Sequence, residues 1–150
     1  MRVDQPRRAG PAGAGRYLRV LGEAAVLLLF VRIGLRTVSY SRLRAWLDRC
    51  ADTPASTHRS ISDVTWAVGA TGRRLAGTTC LAEALVVHAM LRRRGHHPLL
   101  RIGVRQGDLS AVARRAKADR SILEAHAWVE CDGRVVMGEV PQIEGYAILA

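Results

Sequence analysis

The chain has 150 residues, of which 49% are hydrophobic, and a formal net charge of +10. That length holds one domain with a real core, and that composition excludes disorder throughout. All but one of the 23 basic residues are arginine, the exception being Lys117. A positive excess favours acidic partners such as nucleic acid, anionic lipid or an acidic peptide. Nucleic acid is the weakest of these, because basic–aromatic motifs and reader-fold signatures are missing. Cys50, Cys80 and Cys131 make no C-x-x-C pair and no zinc-type spacing, so no metal and no cofactor is expected. An odd count without a secretory signal reads as reduced and cytoplasmic.

In chain order, residues 1–16 are rich in Arg, Gly, Ala and Pro and read as a disordered lead-in to a domain spanning residues 17–150. Tyr17 to Leu47 is the first ordered stretch. Its longest uncharged run, Ala24 to Val31, is eight residues. A bilayer span needs about 20. Two readings stand for this stretch. One is a mostly buried helix followed by an amphipathic piece from Ser39. The other, for residues 18–47, is a helix docking on a partner or peripherally on a membrane surface. Asp48 to His58 is a linker by composition. Ser60 to Arg74 reads as a helix with Ser60 or Ser62 as its cap.

Thr79-Cys80-Leu81 opens the next helix, which ends at Gly95, where a left-handed C-cap is wanted. Cys80, Ala84, Val87 and Leu91 fall on one face, and Leu81, Leu85, His88, Ala89 and Met90 close most of the circumference. A helix apolar nearly all round is a buried helix. Its first turn offers N–H groups and a dipole that favour a thiolate. Cys80 therefore reads either as a nucleophile or as a small buried thiol. His88 reads as a core residue, and His96 and His97 as exposed.

Leu99 to Val104 reads as a strand, and Arg105 to Ser121 as a solvated basic segment or a cationic docking loop. Ile122 to Cys131, Asp132-Gly133 and Arg134 to Val140 form a hairpin with a type I′ turn. Tyr146 to Leu149 adds one short strand. Regular pairing from that turn sets Cys131 against Arg134, Trp128 against Met137 and His126 against Glu139. Opposed residues share a face, with Cβ atoms about 4.5–5.5 Å apart. Glu139 is thus expected to orient His126. Asp132 lies six residues along the strand, roughly 20 Å away, and is the less favoured acid. A bulge at Gly138 would weaken this register.

Cysteine at a helix start, followed by histidine and acid across a hairpin, is the arrangement of a thiol hydrolase or acyltransferase. The Cys80 N–H is the natural first oxyanion donor. Trp66 and Trp128 are indole candidates for a second donor, or packing residues.

Thr79-Cys80-Leu81, the helix ending Leu91-Arg92-Arg93-Arg94-Gly95, the strand with Ile102-Gly103-Val104, and Ala125-His126-Ala127-Trp128-Val129-Glu130 before Asp132-Gly133 together resemble one family. It is the transglutaminase-like cysteine protease of lasso-peptide biosynthesis, in particular the stand-alone leader-peptidase half of the split B protein. The resemblance covers about Leu18 to Leu149. It implies an α+β, papain/transglutaminase-like fold with N-terminal helices, a central helix carrying the nucleophile and an antiparallel sheet. It also implies removal of the leader from a ribosomally made precursor peptide. The implied partners are that leader peptide, a separate recognition protein and a lasso cyclase. The chain has no room before residue 60 for a recognition domain of its own, which fits a separate partner. The family's triad is Cys–His–Asp. Cys80 and His126 match it, and Glu139 stands at the acid position. A transglutaminase-like acyltransferase, another thiol peptidase and a non-catalytic scaffold subunit are the alternatives.

Overall fold

The computed structural model describes residues 11–51, 60–106, 123–139 and 145–149. Four helices lie along the chain: α1 (Pro11–Thr37), α2 (Tyr40–Ala51), α3 (Ile61–Gly72) and α4 (Cys80–Arg92). Four strands follow: β1 (Leu99–Gln106), β2 (Leu123–Cys131), β3 (Arg134–Met137) and β4 (Ala147–Ile148). The sheet is antiparallel in the order β3-β2-β1-β4. This is the expected α+β architecture, with helices first and the sheet packed on the central helix.

The caps fall where the sequence puts them. Ser60 caps α3 by accepting from the Ser62 N–H at 3.2 Å, and Thr79 caps α4 by accepting from the Ala82 N–H at 3.2 Å. Each such cap supports its helix by about 1 kcal/mol. Gly95 takes the left-handed conformation, φ 81°. The lead-in differs from expectation, because α1 already begins at Pro11. Proline at a first helical position loses no hydrogen bond and is preset in φ. The expected linker is shortened at its start, since Asp48 to Ala51 close α2; its remainder, residues 52–58, lies outside the described residues, as do residues 107–121 of the basic segment.

Helix α4 is the centre of the core and touches the other three helices and β1, β2 and β3. Leu85, Val86, Val87, Met90 and Leu91 are fully buried in it. Each such side chain removed from water stabilises the fold by about 1.5–3 kcal/mol. Helix α1 lays Val20, Ala24, Leu28 and Val31 against this core at helical spacing. No helix among the described residues is long and apolar enough to cross a membrane.

His88 is the buried histidine that the apolar helix face implies, at 5% exposure. Its Nδ1 lies 3.9 Å from Asp48 Oδ1, but Arg44 and Arg92 also hold that carboxylate, at 3.3 and 2.9 Å. Burial, and then Arg44, pull its pKa down to about 4. A depressed histidine stays neutral in the folded chain while the unfolded chain binds a proton. Stability should therefore fall as pH drops from about 6.5 to about 4, by on the order of 3 kcal/mol. Urea midpoints followed across that window, compared with those of His88→Leu, check this. The variant should lose most of the slope.

Candidate active site

Cys80 is the first residue of α4, half-buried and packed against the core. Thr79 prepares the turn around it. Its hydroxyl takes the Ala82 N–H and its carbonyl takes the Glu83 N–H at 3.1 Å. The N–H groups of Cys80 and Leu81 find no acceptor among the described residues. Two free donors beside a thiol, at the positive end of a helix, are what a developing oxyanion requires. Glu83, one turn on, is held above the usual carboxylate range by burial, an effect that Arg73 partly offsets. Its carboxylate fits there because Gly72 has no side chain; a Cβ at Gly72 would collide with it.

The sheet has two faces. Ala127 and Val129 of β2 pair with Ile102 and Leu100 of β1, and these four belong to the core that the helices cover. His126 and Trp128 take the alternate face, opposite Gly103 and Arg101. Trp128, His126 and Tyr146 form an aromatic cluster there, with ring centroids 5.9–6.2 Å apart. A Cβ at Gly103 would come within 3.0 Å of the Trp128 ring and 2.9 Å of Tyr146, so only glycine lets this cluster close over β1. Arg105 stands over the Tyr146 ring at 5.0 Å.

The hairpin turn is as expected, with φ 52° at Asp132 and 73° at Gly133. The register is not. Cys131 pairs with Arg134 and Glu130 with Val135, but Val129 pairs with Met137, leaving Val136 as an extra residue. The strand stops at Met137, and Glu139 is not set opposite His126. Glu139 is exposed, and among the described residues no hydrogen bond or ion pair joins it to His126. The partner of His126 is the residue before it: Nε2 lies 2.7 Å from the carbonyl oxygen of Gly138. A carbonyl only accepts, so Nε2 carries the proton and Nδ1 the lone pair. Gly138 makes this approach with φ 80°, where a Cβ would sit 2.7 Å from the Ala127 oxygen. Sequence reasoning missed this carbonyl. The signal was the glycine at which a bulge had been weighed.

The other candidates separate cleanly. Asp132 sits in the turn, where Cys131 Sγ lies 3.9 Å from its Oδ2. Burial, followed by Asp132, pushes the Cys131 thiol up and away from thiolate chemistry. The Trp128 indole donates to Glu130 at 2.8 Å and is not free for an oxyanion. Trp66 packs edge-on against Tyr17, with centroids 5.8 Å apart. His97 is exposed and His96 half-buried. No group of three His, Cys, Asp or Glu side chains among the described residues converges as metal ligands do. No hydrogen bond joins Cys80 to His126 among the described residues: α4 packs on the Ala127 and Val129 face of β2, whereas His126 takes the other face, so the structure does not bring the two side chains together.

No curated protein and no solved structure matches this chain. The family model of the transglutaminase-like superfamily does, over residues 25–150, a span that holds α4, the whole sheet, Cys80 and His126. A free thiol at the capped start of a central helix, with a tautomer-fixed histidine on the adjoining sheet, thus stands inside a matched domain, and the chain belongs to the transglutaminase-like superfamily.

Proposed function

We propose that this protein is a cysteine peptidase that removes the leader from a ribosomally made lasso precursor peptide. The observation that carries the chemistry is Cys80 at the start of α4 beside two N–H groups without acceptors among the described residues. Superfamily membership supports a cysteine protease or acyltransferase. The lasso assignment rests on the family resemblance carried by Thr79-Cys80-Leu81 and Ala125-His126-Ala127-Trp128.

In this reading His126 is the base for the Cys80 thiol, a step that requires the two to meet from the separate sides of the sheet on which they lie, and the thiolate attacks the scissile carbonyl. The oxyanion is received by the Cys80 N–H. His126 then protonates the leaving amine, and water hydrolyses the thioester. A recognition protein presents the leader, and a cyclase takes the trimmed peptide. The test is incubation with precursor peptide and recognition protein, read by mass. Two fragments whose masses sum to that of the precursor plus water are expected. An intact precursor would sink the proposal, and a product gaining an added amine would move the assignment to acyltransferase.

Glu139 is the proposed acid, but the Gly138 carbonyl already fixes the imidazole tautomer. Its charge therefore acts only on the imidazolium. Glu139→Gln should lower kcat/KM by less than about tenfold, against roughly 10⁴ for losing the carboxylate that orients a catalytic histidine. Steady-state cleavage rates of the variant distinguish the two.

A further inference from the structure

Helix α1 is apolar on both sides. Opposite its buried stripe, Leu18, Val26, Leu29 and Ile33 are 51–69% exposed, at spacings of three, four and eight residues. Beside them Phe30 is 42% exposed and stacks at 4.5 Å on Trp46 of α2, itself 39% exposed. Between the two helices runs an open groove of about 460 Å³, lined by Phe30, Ile33, Val38, Leu43 and Trp46 and edged by Arg42 and Arg49. A monomer rarely leaves such a row to water.

The charges around this face have one sign. Glu23 and Asp48 are the only carboxylates on the two helices. Glu23 is turned to Arg93 and Arg94, at 3.2 and 2.6 Å, and Asp48 to Arg44 and Arg92. Arg19, Arg36, Arg42 and Arg49 are exposed. A second copy of the chain would set these arginines against their equivalents. A protein partner would need hydrogen bonds across the contact. Thr37, the one hydroxyl in the groove, already donates to the Ile33 carbonyl at 2.9 Å. What the face offers is aliphatic and aromatic side chains ringed by guanidinium groups. That set matches acyl chains beneath anionic headgroups.

We propose that the outer face of α1 and α2 docks on the surface of an anionic lipid bilayer. The helices lie in the interface rather than across it, and the catalytic domain hangs from them. The proposal stands independently of the substrate of Cys80.

The test is flotation of the full chain with vesicles of equal parts phosphatidylcholine and phosphatidylglycerol, compared with phosphatidylcholine alone. Binding to the anionic vesicles should be tighter by on the order of 1,000-fold, from four arginines near the surface, and should weaken with added salt. Trp46 emission should shift to the blue on binding, a change missing in Trp46→Phe. Ile33→Glu should lose binding by at least about tenfold, with its melting temperature intact because Ile33 is 55% exposed. Leu29→Ser serves should that variant not fold. Failure to float with anionic vesicles, equal binding to both compositions, or binding that survives both substitutions overturns the proposal. A dimer mass by light scattering that Ile33→Glu disperses, without vesicle binding, assigns the face to a second copy instead.

Discussion

Cys80→Ala should abolish leader cleavage, lowering kcat/KM by on the order of 10⁴-fold or more, while the chain still folds. The size follows from the sulfur's role: without it no thioester forms, and only the oxyanion donors and substrate binding remain. The intact fold follows from where Cys80 sits. The cap of α4 is the Thr79 side chain, not the cysteine, and the buried mass of the helix begins at Ala82. Losing a half-buried sulfur at a helix start costs about 1 kcal/mol or less. Rates and circular dichroism on the same preparation separate the two effects. Full activity in this variant would leave the thiol structural and end the enzyme reading. Alkylation adds a second measurement. Cys131 is buried and its thiol is pushed up, so it should label last, whereas Cys50 is exposed and competes. Preferential labelling of Cys80 over the more exposed Cys50 is expected if Cys80 is the nucleophile.

Local chemistry was legible in the sequence, and long-range pairing was not. Thr79 and Gly95 bracket α4 because a cap acts within one turn of chain. Asp132-Gly133 marks its own turn for the same reason. The register of β3 is different. Val135, Val136 and Met137 are interchangeable apolar residues, and nothing local says which is left over. That one residue moves the partner of His126 from the Glu139 side chain to the Gly138 backbone. A backbone acceptor leaves no mark in residue type except the glycine that makes room for it. The start of α1 was hidden by composition, although Pro11 at a first helical position is a recognised signal.

Glu23→Ala should be the most destabilising exchange of a charged residue on α1, costing about 3–5 kcal/mol. Its partner Arg94 follows α4, 71 residues further on, with a side chain only 4% exposed. Arg94 donates to the Met90 carbonyl at 2.7 Å and to Glu23 at 2.6 Å, and Arg93 reaches the same carboxylate at 3.2 Å. Removing Glu23 leaves the Arg94 guanidinium, 4% exposed and always charged, with the Met90 carbonyl but without its carboxylate. Arg94→Met should cost less than Glu23→Ala, since it removes the buried charge and leaves Glu23, 25% exposed, to Arg93 and water. A surface ion pair gives no such ordering, since either loss there costs about 0–1 kcal/mol. Urea denaturation of the two variants decides it. A large Glu23 effect would show that α1 is clamped to the helix that bears Cys80, so that whatever holds the outer face of α1 also holds the catalytic domain.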